Sequence, residues 1–181
     1  MRKIALFFLL LLASAAFAAG EKPPEIATTI HAAAPYGEGT YSWMWIKAYD
    51  ASLWTDANPW SMQAPFALTL HYRMHFTSRS LADRSIDEMQ HIEPLSKTEA
   101  ADFDAQLLKL FPDVRDGDRI TALYLPHEGA KLYYNGTLTG SITDDKFAQR
   151  FLGIWLSEKT SAPDLRKQLL SGPAAQAVSQ H

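Results

Sequence analysis

The stretch from Phe66 to Phe76 restricts this chain more than any other. Phe66, Leu68, Leu70, Tyr72, Met74 and Phe76 alternate with Ala67, Thr69, His71, Arg73 and His75. A period of two places one set on each side of an extended ribbon, so the stretch reads as a half-buried β-strand with the polar set as a solvated face. Such a strand cannot stand alone. It needs neighbours along both edges and an apolar cover over its inward face.

The neighbours are legible downstream. Arg119 to Leu125, Lys131 to Tyr134 and Thr137 to Ile142 read as three strands. His127-Glu128-Gly129 and Asn135-Gly136 separate them, the second being a strong signal for a type I′ hairpin because both residues tolerate positive φ. Asn135-Gly136-Thr137 also matches a glycosylation sequon, but within so tight a hairpin it reads as the turn.

The cover is helical. Ser80 with Asp83 resembles a capping box, Ala82, Ile86 and Met89 share a face, and Pro94 ends that helix. Ser96-Lys97-Thr98-Glu99 opens a second helix with the stripe Ala100, Phe103, Leu107 and Phe111. Thr143 caps a third, with Phe147, Phe151, Ile154 and Trp155 inward, and Ser161-Ala162-Pro163-Asp164 caps a fourth that stops at Gly172. Strands, helices, a three-strand meander and helices again indicate an α+β fold, with helices gathered on one face of an antiparallel sheet.

Tyr41 to Trp54, YSWMWIKAYDASLW, is largely apolar on both sides up to Ala48, with Lys47 the exception. Read as one strand, it sets Tyr41, Trp43, Trp45, Lys47, Tyr49, Ala51 and Leu53 against Met44, Ile46, Ala48, Asp50 and Ser52. That pattern predicts a central strand covered on both faces, one of them by core packing or by the wall of an apolar pocket.

The ends of the chain differ in kind. Arg2 and Lys3 precede an apolar run from Ile4 to Phe17, and Ala16-Phe17-Ala18 is a small-x-small pattern, so residues 1–18 read as an export signal cleaved after Ala18. The run is short for a bilayer span; a retained N-terminal anchor is the alternative. Residues 19–36 read as a flexible segment with a short strand near Ile26 to His31, residues 37–172 as one domain, and residues 173–181 as a frayed tail. The chain has no cysteine, so its core must hold by burial alone. Removing Arg2 and Lys3 leaves 15 basic against 20 acidic side chains, which argues against a nucleic-acid partner. Export without disulfides is consistent with a periplasmic location and no membrane span after cleavage.

Few residues suggest chemistry by themselves. His71 and His75, four apart on a strand, would lie roughly 13 Å from each other, too far to share one metal ion. There is no cysteine nucleophile, no G-x-S-x-G and no glycine-rich phosphate cradle. Asp83, Asp87, Glu88 and Glu93 read as helical surface charge. Neither a metal nor a cofactor is expected.

Taken in order, WIKAYDASLW, PFALTLHYRM, SLADRSIDEM, LFPDVRDGDRITALYLP, NGTLTGSI and FAQRFLGIWLSEKTSAPDLRKQLL resemble the chalcone isomerase-like family, in its bacterial exported branch. The resemblance spans Gly37 to Gly172. It implies an open-faced β-sandwich, with a cleft between sheet and helices that holds a flavonoid in the plant enzymes and a fatty acid in their non-catalytic relatives. In an ungapped placement the plant enzymes' ligand-binding arginine falls on Tyr36 and their water-ordering threonine on Ala48. Their helical tyrosine and asparagine fall on Leu81 and Glu88, and a hydroxyl of the late helix falls near Ala148 or Gln149. No position keeps the pattern, and no arginine lies between Arg2 and Arg73. The cleft is therefore expected to lack the cation that would stabilise an enolate.

The resemblance thus implies a non-catalytic protein that binds a small, largely apolar ligand, with Tyr36, Ala48, Leu81, Glu88 and Gln149 lining the cleft. Two alternatives remain open. One is an isomerase or lyase acting on an enone or chalcone-like substrate, with Glu88 as acid/base and Tyr36 as donor. The other is a periplasmic interaction module using the hairpin around Pro126 to Gly129.

Overall fold

The alternating stretch becomes strand β3 (Phe66–Tyr72) at the centre of a six-stranded antiparallel sheet. The computed structural model describes residues 21–172, so the predicted signal and the predicted C-terminal tail lie outside the described residues. The other strands are β1 (Gly37–Trp43), β2 (Ile46–Thr55), β4 (Arg119–Leu125), β5 (Gly129–Tyr134) and β6 (Thr137–Ile142). They pair in chain order, β1 to β6, and every neighbouring pair is antiparallel. The α+β architecture expected from the element order, and the open-faced sheet that the resemblance implies, are the ones observed.

Four helices cover one face: α1 (Ser78–Ile92), α2 (Lys97–Leu110), α3 (Asp145–Leu156) and α4 (Pro163–Leu169). The Ser96/Glu99 capping box forms reciprocally, as predicted. Two other caps fall elsewhere. Thr77, not Ser80, caps α1 by accepting from the Ser80 N–H, and Asp144, not Thr143, caps α3 by accepting from the Phe147 N–H. A carboxylate at that cap also suits the positive end of the helix dipole. Where α4 crosses β1 the backbones nearly touch; a Cβ on Gly37 would stand 2.2 Å from the Leu169 carbonyl oxygen, so only glycine fits.

Tyr41 to Trp54 departs from the expected central strand. It is a hairpin, with β1 at the sheet edge, β2 next to it, and Met44 and Trp45 forming the turn. Met44 (φ 47°) and Trp45 (φ 72°) both adopt the left-handed region that Asn-Gly would favour. The tip is exposed, while Tyr41 and the rest of β2 run under the helices.

The second face of the sheet is buried at its centre, while Glu38, Lys131 and Ser141 toward its margins are exposed. Ala67, Thr69 and His71 are buried, and His75 lies in the turn beyond β3. Part of the cover is the segment expected to be loose. Instead of a strand near Ile26 to His31 it makes a short 3-10 turn, Pro24–Ile26, and packs Ile26 and Ile30 on Trp54, Ala67 and Leu123. A buried ion pair at 2.8 Å joins Glu25 to Arg119 on β4. Breaking such a pair leaves a charge stranded, which fastens the segment to the sheet. Among the described residues no helix is long and apolar enough to cross a membrane, and no cluster of His, Asp and Glu is placed to hold a metal ion.

Candidate functional site

Strand register assembles the site. Tyr41, Tyr49 and Tyr72 are direct partners on one rung of β1, β2 and β3, all pointing toward the helices. Tyr41 stacks on Tyr49 at 5.2 Å between centroids, Tyr49 meets Tyr72 edge-on at 6.0 Å, and Tyr72 meets Phe76 at 5.8 Å. Such pairs hold the rings in place and keep the rung rigid.

This rung borders a cavity of about 340 Å³ between sheet and helices. Its floor is Leu68, Leu70, Ile120 and Ala122; its roof is Leu81 from α1 with Phe151, Ile154 and Trp155 from α3. The size and the apolar walls suit a small organic ligand.

Polar groups gather at one side. Trp155 Nε1 donates to the Tyr49 hydroxyl at 3.0 Å, which leaves the hydroxyl proton free to donate elsewhere. Burial pushes the Tyr49 hydroxyl pKa well up, against the Trp155 bond, and burial does the same for Tyr72. Both remain neutral phenols at physiological pH.

Glu88 on α1 is buried beneath exposed Arg84 and Ser161. Ser161 Oγ donates to Glu88 Oε1 at 2.7 Å, and Arg84, one helical turn away, pairs with the same oxygen. Glu88 Oε2 is shut away from solvent without a hydrogen-bond partner. A buried carboxylate oxygen left bare is costly, so this corner is chemically unfinished.

The structure brings three of the five sequence-predicted residues together, Ala48, Leu81 and Glu88, at the cavity wall. It places the other two elsewhere. Buried Tyr36 accepts from the Trp60 N–H at 3.3 Å and lies against Gly172. Gln149 donates to the Tyr124 hydroxyl and to Asp145 on α3. The Tyr36–Glu88 pair required by the isomerase alternative is therefore not assembled in this cavity.

The expectation that the cleft lacks a cation is also corrected, because Arg84 lines it. The spacing of Leu81, Arg84, Ser85 and Glu88 could have revealed this, since positions three and four apart share a helical face. Ser161, read as a helix cap, gives its hydroxyl to Glu88 instead; α4 has no side-chain cap bond at Ala162. The predicted hairpin at Pro126 to Gly129 does turn there, with exposed His127 and Glu128 at its tip.

Comparison with known proteins agrees with this architecture. The family model described as chalcone isomerase-like matches residues 34–171. An uncharacterized protein of Haemophilus influenzae is 26% identical over 137 residues, which cover 75% of this chain and 67% of that protein. The crystal structure of a fatty-acid binding protein from Arabidopsis thaliana superposes with a TM-score of 0.62 at 11% identity, covering 82% of this chain and 90% of that one.

Proposed function

The chain belongs to the chalcone isomerase-like family, and from that premise we propose that it is an exported, non-catalytic protein that holds a small, largely apolar ligand between sheet and helices. The observation that carries this reading is the cavity of about 340 Å³ with apolar walls and a single polar corner. A relative with the same fold binds fatty acids, which supports an apolar ligand body.

The polar corner favours binding over enolate chemistry. Arg84 is already paired with Glu88, so a developing anion gains little net charge stabilisation there. For the same reason a carboxylate is a poor head group. Arg84 and Glu88 line the cavity together with Ser80, Ser85 and Ser161, a mixed set of donors and acceptors, so the favoured ligand carries a neutral hydroxyl or amino group on an apolar body. Export rests on Arg2, Lys3 and the apolar run that follows; N-terminal sequencing of the mature chain should begin at Ala19.

Native mass spectrometry of protein purified from its own host tests the reading. The expected result is a retained organic mass, lost in Ala122→Phe, whose ring would occupy the cavity floor. Repeatedly empty spectra of the unmodified protein would sink it.

A further inference from the structure

The hairpin tip is the least soluble-looking part of the described surface. Trp43 is 60%, Met44 71%, Trp45 101% and Ile46 54% exposed. Trp43 and Ile46 are cross-strand partners on one face, and Met44 and Trp45 form the turn beyond them, so the protruding end of the hairpin is apolar on that face and at its tip. A flat protein partner would cover the face only; a fluid apolar phase covers face and tip together.

Three further features point the same way. Met44 and Trp45 hold positive φ values that glycine or asparagine would adopt with ease, so bulky apolar residues stand where local turn chemistry disfavours them. Ser42 pairs with Lys47 and Trp43 with Ile46, so backbone groups flanking the tip are engaged across the hairpin, as a low-dielectric medium requires. Tryptophan is the residue that settles at bilayer interfaces, and exposed Lys47 beside it suits phosphate head groups. Trp43 also lines the cavity, so tip and mouth are continuous.

We propose that the tip Trp43-Met44-Trp45-Ile46 inserts into the interfacial layer of a lipid bilayer and seats the cavity mouth on the membrane surface. An apolar ligand then passes between bilayer and cavity without crossing water. That passage rests on the ligand-binding reading above; the insertion does not.

The test uses the full chain with vesicles of phosphatidylcholine and phosphatidylglycerol carrying brominated acyl chains, which quench tryptophan only on contact. Trp54 and Trp155 are buried, half-buried Trp60 packs edge-on against Phe66 and is replaced by Phe in every protein compared, and the predicted N-terminal signal contains no tryptophan, so quenching reports the tip however the chain is attached. The expected result is strong quenching with a blue shift. In Met44→Asn/Trp45→Gly, Trp43 remains as reporter and vesicle affinity falls about tenfold or more. That variant installs the favoured Asn-Gly turn, so it should melt at a temperature no lower than the unmodified chain.

Ala122→Phe should keep the quenching. A chain that inserts yet carries no ligand defeats the reading of the cavity and leaves this one standing. Unquenched tip tryptophans overturn it, as does quenching that the turn variant leaves unchanged. Self-association by light scattering that the turn variant abolishes, with no insertion, would assign the tip to a protein contact and equally overturn it.

Discussion

Trp155 Nε1 donates to the Tyr49 hydroxyl at 3.0 Å, tying α3 to β2 across 106 positions of chain. Tyr49 is also the middle ring of the Tyr41–Tyr49–Tyr72 rung, so one bond connects the helical roof of the cavity to its aromatic wall. Tyr49→Phe keeps the ring packing and strands the indole N–H. The expected loss is about 1–2 kcal/mol in urea unfolding. Adding Trp155→Phe removes the stranded donor, so the double variant should lose less than the two single variants together. Strict additivity would mean that the bond contributes nothing.

Glu88→Gln addresses the polar corner. Gln can still accept from Ser161 while releasing Arg84 from its ion pair. Titration calorimetry with a long-chain alcohol and the matching fatty acid should show a reversal. The parent chain prefers the alcohol, and the variant gains for the carboxylate about tenfold, the scale of one charge-assisted hydrogen bond. Unchanged selectivity would remove Glu88 from ligand recognition.

Period-two and period-3.6 patterns exposed most of this architecture, because the helix-facing side of β3 and the inward stripes of α2 and α3 are apolar at those spacings. The β1–β2 hairpin was hidden for a definite reason. Met44-Trp45 carries no turn chemistry, so an apolar run continues straight through a reversal of direction. The cover on the second face was hidden too, since Ile26 and Ile30 sit in a short irregular segment without periodicity. Thr69 and His71 then resembled solvent-facing residues although they are buried. At the candidate site, family alignment led to Ala48, Leu81 and Glu88, which line the cavity, and to Tyr36 and Gln149, which pack elsewhere, while Arg84, one turn before Glu88 on the same helical face, went unmarked. The alignment transferred positions; the cavity depends on side chains.

His71 offers a pH test of the buried second face. Burial, then the charges of Arg119 and Arg73, lower its pKa from the ordinary value of 6.5, while Asp50 and Glu25 pull weakly the other way. The folded state therefore keeps His71 neutral where the unfolded chain would take up a proton. Between the two pKa values the unfolded state binds more protons, so stability rises with pH there. The contribution is complete above about pH 6.5 and is lost as pH falls toward the lowered folded value. Asp50 is held below the usual carboxylate range: burial opposes this, but the bonds from Thr40 and Arg73 outweigh it. Its own loss of stability therefore belongs to more acidic solutions, below the histidine window. Urea midpoints measured at about pH 7.5 and about pH 5.5 separate the two groups. The unmodified chain should lose more stability over that interval than His71→Gln, which has no proton to take up. Equal losses in both proteins would show that His71 titrates alike in the folded and unfolded chains, and the sheet face around it would then be open to water.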